Sequence, residues 1–193
     1  MVKVSFIVSA FARPRSLELC LASLHCQTFQ DFDLLVTDNA VDEKISEEHW
    51  RLTLRHVNDR YTRTKLRDCY ESANWGAAAA QGEYLCFPSD DGIYFPLFLD
   101  LMLERGRGAD LIYCDQVWAG PSKHGGMESN ILDVQPVTGK IDKGGFLVRR
   151  EVFQRMGGFS APFFHTADGE FIERVIKSGA SHRKIGIVGW VHN

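Results

Sequence analysis

The sequence predicts an α/β domain built on a mostly parallel central sheet flanked by helices. Two observations predict it. Apolar, β-branched runs alternate with stretches of helical periodicity through about residue 118, the pattern that lays helices over a parallel sheet. The first run, VKVSFIVSA, is nearly unbroken, as a strand buried on both faces requires. With 193 residues and 45% hydrophobic content, one domain spanning 1–193 has enough apolar surface for a sizeable core. No repeat, low-complexity tract or linker divides it.

Residues 2–10 make the first strand. Pro14 stands where a helix can begin. Leu17, Cys20, Leu21 and Leu24 recur at helical spacing, so 14–27 is a helix. DFDLLVTD (31–38) is a second strand, and LTLRHV (52–57) a third, weaker one. DRYTRTKLRD (59–68) carries Arg60, Arg63, Lys65 and Arg67 with little apolar periodicity, and reads as a basic loop. Residues 70–80 form a helix stopped by Gly82. EYLCF (83–87) is a strand ended by Pro88, followed by a helix over about 95–106. ADLIYCDQVW (109–118) is a fifth strand, and 119–136, with its Gly, Pro, Ser and Asn, a loop. Residues 144–159 give a strand and a short helix. Residues 167–179 give a helix with Phe171, Ile172, Val175 and Ile176 as its apolar stripe. IGIVGWVHN (185–193) is a final strand.

Composition excludes several classes. A net charge of −3 gives no general argument for a nucleic-acid partner. No run reaches the ~18 apolar residues of a membrane span. The N-terminal apolar run is short, and ARPR follows it at once, so it is a buried strand rather than a signal peptide. Five scattered cysteines without a CxxC pair fit reduced thiols of a cytoplasmic protein. Neither GxGxxG nor GxxxxGK[ST] occurs, which disfavours a dinucleotide fold or a P-loop.

Ligands of such sheets bind outside the carboxyl ends of the strands. Those ends carry Ser9 to Arg13, then Asp38, Asn39 and Ala40, then Ser89, Asp90 and Asp91. The adjacent acids Asp90 and Asp91 have two readings. Asp-Asp-Gly suits a solvated turn. The pair also suits Mg²⁺ or Mn²⁺, held by one or two carboxylates with substrate phosphates completing the shell.

VSFIVSAFARPRSLELCLASLHCQTFQDFDLLVTDNA resembles the opening of family-two, GT-A-fold glycosyltransferases. AQGEYLCFPSDDGIYFP is similar to their GEY and Asp-Asp segment, in the same order and spacing. GGFLVRREVFQRMGGF and ADGEFIERVIKSG resemble their acceptor-side half. The resemblance implies a GT-A fold, with 1–118 as the nucleotide-binding half and 119–193 as the acceptor-side half. It implies inverting transfer of a sugar from a nucleotide-diphospho-sugar, UDP for preference, to a saccharide or other hydroxyl acceptor, assisted by Mn²⁺ or Mg²⁺. Polysaccharide biosynthesis and a cytoplasmic place, with peripheral contact to a membrane, go with it.

Residue by residue, the resemblance places Ser9 and Phe11 beside the base, with the core as the other reading of Phe11. Asp38 matches the acid that contacts the base, or is an Asx-turn residue. Asp90 matches the acid near the ribose and Asp91 the metal ligand. Pro88 and Ser89 replace the earlier acids of the family's fuller motif, leaving the metal fewer protein ligands. Arg63 falls in the basic loop, where a guanidinium suits phosphate oxygens. Asp168 stands at the position of the catalytic base, with helix capping as its other role. Glu170 is the reserve base, or pairs with Arg174. His192 resembles a late histidine that completes the metal site. Asn74 matches an Asn or Gln of the family, and Asp115 lies near the acceptor or caps a strand. Two rivals stay open: a nucleotidyltransferase, although SAFARPRS lacks the glycines of such a loop, and a non-catalytic nucleotide-sugar-binding module.

Overall fold

The computed structural model describes residues 2–56, 58–66, 68–121, 127–137, 140–160 and 166–192. The chain opens with β1 (Val4–Ala10), buried at every position, then α1 (Pro14–His25) and β2 (Phe32–Asp38). Next come α2 (Glu43–Thr53), β3 (Asp59–Arg63), α3 (Cys69–Ala79) and β4 (Tyr84–Cys86). After β5 (Gly92–Tyr94) and α4 (Phe98–Arg105) follow β6 (Leu111–Pro121) and β7 (Met127–Leu132). A 3-10 turn at Lys143–Gly145 leads into β8 (Phe146–Arg149), α5 (Arg150–Arg155), α6 (Ala167–Lys177) and β9 (His182–His192).

The sheet runs β3-β2-β1-β4-β8-β6-β9-β5, with β7 paired to β6 beside that path. Strands β1 to β4 are parallel, so their C-terminal ends share one edge. β8 is antiparallel to β4 and β6, and β5 is antiparallel to β9. The expected parallel half is therefore present, joined to a mixed half.

Alternation along β1 divides the core. Val4, Phe6 and Val8 pack with Leu17, Leu21 and Leu24 of α1 and with Leu99 and Met102 of α4. Ile7 faces the other layer with Ala73 and Ala77 of α3 and Phe171, Ile172 and Val175 of α6. Successive strand side chains point to opposite faces, so one strand serves two cores.

Three expectations are corrected. The third strand is not at 52–57, because Leu52 and Thr53 end α2. Asp42 caps that helix by accepting from the Lys44 amide at 2.8 Å. Its buried side is Ser46, His49, Leu52 and Thr53, so polar residues disguise the helical period. The third strand is instead Asp59–Arg63, inside the stretch read as a basic loop. It is a sheet edge, and Arg60 pairs with Asp33 there. The 119–136 loop holds the end of β6 and all of β7, whose residues are exposed throughout and so carry no apolar alternation. Val57 and Arg67 lie outside the described residues.

Gly82 sets the β1–β4 approach. A Cβ there would stand 2.4 Å from the Ser5 amide nitrogen and 2.7 Å from the Val4 carbonyl carbon. Both are backbone atoms of the central strand and cannot swing aside. Gly82→Ala is expected to cost about 1–3 kcal/mol, read as a lower urea midpoint at unchanged slope.

Candidate active site

The parallel register assembles the site. Ala10 pairs with Asp38, Asp38 with Arg63, and Ser9 bridges Ser89. Residues far apart in sequence thus meet at one sheet edge. A cavity of about 500 Å³ opens there, lined by Phe11, Asn39, Ala40, Val41, Arg63 and Lys65 among others. Phe11 is 55% exposed, so it belongs to this surface and not to the core. Lys65 holds a left-handed backbone conformation with φ 54°, the kind of strain that persists where surrounding structure enforces it.

Asp38 is fully buried, and its carboxylate is fully engaged. Oδ1 accepts from the Ala40 amide at 2.8 Å and faces His49 Nδ1 at 2.9 Å. Oδ2 accepts from Ser46 Oγ and Tyr61 Oη, each at 2.6 Å. Burial pushes the acid up, but His49, Ser46, Tyr61 and the Ala40 amide outweigh it and hold it at about 2. A nucleotide base finds no free oxygen on Asp38. What Asp38 does is lock the Asn39–Ala40 turn that lines the cavity.

Arg63 lies across that turn. One guanidinium nitrogen pairs with Glu43 and another donates to the Ala40 carbonyl at 3.2 Å, while buried Nε has no protein partner. Ser9 does not line the cavity. Its hydroxyl donates to the Cys69 carbonyl at 3.1 Å, tying β1 to α3.

Asp90 and Asp91 are both buried, and the cation that reconciles them is Arg13. Its guanidinium reaches Asp90 Oδ1 and Asp91 Oδ2 together. Burial works against the Arg13 charge, and the two carboxylates outweigh it, raising its pKa. Asp90 also accepts from the Phe11 amide at 3.0 Å. Burial nonetheless raises the Asp90 pKa against the opposing pull of Arg13. Asp91 Oδ1 is buried and has no protein partner. A carboxylate oxygen without a protein partner is the kind of donor a hard cation takes. Among the described residues no cluster of three His, Cys, Asp or Glu side chains forms a metal cage. The donor set therefore fits Mg²⁺ or Mn²⁺ only where substrate oxygens complete the shell.

His192 is brought to this point by strand pairing. β5 and β9 match Gly92 with His192, one residue from Asp91. Its Nδ1 lies 3.1 Å from Asp142 Oδ2, and its ring stacks on Trp190. The Asp142 hydrogen bond raises its pKa against burial, with Asp91 adding to the rise.

Asp168 stands in the first turn of α6, 8% exposed. It borders a second cavity of about 510 Å³ with Tyr70, Gln116, Lys140 and Asp142. Burial first, then the like charge of Asp142, lifts its pKa to about 6. The Gly169 amide at 2.8 Å and the Lys143 amide at 3.2 Å partly offset that rise. The reserve acid Glu170 is held by both ends of the Arg174 fork, at 2.8 Å each. Asp115 accepts from the Val134 amide and pairs with Lys184. Asn74 exchanges two 2.8 Å bonds with the Phe159 backbone. These last three are structural fastenings.

Among the predicted residues Phe11 and Arg63 line the first cavity and Asp168 the second, and hydrogen bonds tie both to the dicarboxylate segment: the Phe11 amide to Asp90, and Lys143 to Ser89 and Asp168. Arg13, Asp142 and Lys143 were not among the residues singled out from sequence. Arg13 had a signal, being the first cation after the end of the first strand. IDKGG offered none, because a charged pair before glycines normally marks a solvated turn.

This is a nucleotide-diphospho-sugar transferase architecture, the GT-A fold, and comparison with known proteins agrees. The profile described as glycosyl transferase family 2 matches residues 5–164. The chain belongs to that family. A curated relative from Haemophilus influenzae, described as an uncharacterized glycosyltransferase, is 22% identical over 186 residues, covering 90% of this chain and 62% of its own length. S. aureus TarS superposes with a TM-score of 0.74 at 15% identity, over 99% of this chain and 36% of that one. A mannosyltransferase from Pyrobaculum calidifontis, solved with GDP-Man and Mn²⁺, superposes at 0.77 with 16% identity, over 98% and 56%. TarS residues 1–349 have been solved with UDP and with UDP-GlcNAc. The chain therefore spans between about a third and two thirds of these relatives. Among the described residues no helix is long and apolar enough to cross a membrane.

Proposed function

We propose that this chain carries out inverting transfer of a sugar from a nucleoside diphosphate donor to an acceptor hydroxyl. The carrying observation is the buried dicarboxylate, hydrogen-bonded through Asp90 to Phe11 at one cavity and tied through Ser89 and Lys143 to Asp168 at a second cavity of similar size. The first takes the nucleoside, with Phe11 against the base and the Arg63 guanidinium beside it. UDP is the preferred nucleotide, in keeping with the family resemblance and with the UDP and UDP-GlcNAc complexes of TarS. Asp90 lies where the ribose and diphosphate meet. Asp91 Oδ1 and His192 are the protein ligands for Mn²⁺ or Mg²⁺, which when bound neutralises charge on the departing diphosphate. The Mn²⁺ of the archaeal mannosyltransferase supports that choice.

Asp168 takes the proton of the acceptor hydroxyl as that oxygen attacks the anomeric carbon from the face opposite the diphosphate. A base with a pKa of about 6 is mostly ionised at pH 7.5 yet still basic enough to accept. The acceptor, a saccharide or another hydroxyl compound, occupies the second cavity. Transfer is expected to fall tenfold per pH unit below pH 6, as a rate profile would record.

Binding is testable before the sugar is known. UDP, GDP, CMP and TDP are compared by thermal shift with and without Mn²⁺. Stabilisation follows ligand excess and reaches about 2.7 kcal/mol at a hundredfold over Kd. The expected result is a UDP shift that Mn²⁺ enhances and Asp91→Ala removes. An Asp91→Ala shift equal to that of the wild type sinks the metal assignment.

A further inference from the structure

Lys143 is a buried charged residue of the site that the proposed function leaves without a role. Its residue is 3% exposed, yet its ammonium is bonded to neutral acceptors instead of a carboxylate. Nζ donates to the Phe87 carbonyl at 3.1 Å and to Ser89 Oγ at 3.1 Å. Those residues immediately precede Asp90 and Asp91. The amide of the same residue donates to Asp168 Oδ2 at 3.2 Å. One residue therefore holds the metal-side segment through its side chain and the base through its backbone. The turn is itself fixed, since Asp142 caps it by accepting from the Gly144 amide at 2.9 Å.

Burying an ammonium without a contacting carboxylate is costly. Methionine would fill similar volume at no such cost, so packing alone does not explain a lysine here. Asp142 and Asp168 lie within its electrostatic reach. The ammonium pulls down the pKa of both Asp142 and Asp168.

We propose that Lys143 is a positioning residue that pins the Asp90–Asp91 segment and Asp168 at one fixed separation, so that donor and base meet in register. The proposal rests on the sugar-transfer reading of the site. Its charge has a second effect: it opposes the like-charge repulsion of Asp142 and keeps Asp168 ionised at neutral pH. The groups facing Asp168 are Tyr70 and Cys69 from α3, Asp142 and Lys143 from the turn before β8, and the Gly169 amide of its own helix. His192 reaches it through Asp142.

The test measures thermal midpoints from pH 5 to 9 for the wild type, Lys143→Met, Lys143→Gln and Asp168→Asn, each alone and with UDP plus Mn²⁺. The wild-type curve is expected to show a step near pH 6 that Asp168→Asn lacks. In both Lys143 variants that step moves up by about one pH unit. The apparent Kd for UDP–Mn²⁺ rises about tenfold in Lys143→Met and less in Lys143→Gln, which keeps a donor. A step that stays in place overturns the electrostatic effect, and an unchanged Kd overturns the pinning. A wild type indifferent to UDP and GDP with Mn²⁺ removes the donor reading alone, and the pH step then decides Lys143 by itself. Should Lys143→Met fail to fold, Ser89→Ala removes one acceptor and leaves the charge. It is expected to weaken UDP–Mn²⁺ without moving the step; unweakened binding counts against the pinning.

Discussion

Asp168→Asn is expected to lose sugar transfer and, above pH 6, to become more stable than the wild type. The two effects share one cause. The Asp168 carboxylate is buried beside Asp142, and its pKa is lifted to about 6. In the unfolded chain an aspartate titrates at about 3.9. The folded state therefore binds this proton more tightly than the unfolded state. Below about pH 4 the group is protonated in both states and costs nothing. As pH rises the folded state must ionise an acid in an unfavourable place, and that cost is complete above about pH 6. A difference of about two units corresponds to about 3 kcal/mol. Asparagine avoids it but keeps only one acceptor oxygen for the Lys143 and Gly169 amides, which returns about 1 kcal/mol. The net expectation at pH 8 is a gain of about 1–2 kcal/mol, seen as a raised thermal midpoint that converges on the wild type by pH 5. Removing the base costs about 10²–10⁴ in turnover. Parallel stability curves across that range would show the acid is ordinary, and an active Asp168→Asn would dismiss it as the base.

The parallel half of the fold was legible because its strands are buried on both faces. VKVSFIVSA reads as a strand from composition alone, and β1 is buried at every position. The elements that were misread are those whose buried faces are polar or whose faces are all exposed. α2 hides a helical period behind Ser46 and His49, both drawn inward by Asp38. β7 shows no alternation because neither of its faces is covered. In the candidate site, acids such as Asp90, Asp91 and Asp168 stand out in sequence by residue type, and the structure buries all three. Contacts such as that of Lys143 were illegible, because they join positions as far apart as 143 and 87.

Asp38, expected to touch the base, has both carboxylate oxygens engaged by protein groups, and that enclosure has a measurable consequence. Truncation at Asp38→Ala is expected to cost about 3–5 kcal/mol, the range for uncovering buried partners of an ion. Ser46, Tyr61, His49 and the Ala40 amide all lose their acceptor, and the first three bind α2 and β3 to the end of β2. Asp38→Asn retains one acceptor oxygen, so its cost is smaller, about 1–3 kcal/mol. The acid dependence has the opposite sign from Asp168. The folded pKa of about 2 lies below the unfolded value. The contribution of Asp38 is thus present above about pH 4 and lost as pH falls through about 2. Urea unfolding at pH 7 and at pH 3 should show the wild-type advantage over Asp38→Asn shrinking at the lower pH. A residue whose main work was to touch the nucleotide would behave otherwise: Asp38→Ala would lose UDP affinity while keeping its urea midpoint within about 1 kcal/mol of wild type. The enclosed carboxylate argues for the first outcome, in which any loss of UDP affinity follows from the Asn39–Ala40 wall of the Phe11 cavity coming loose.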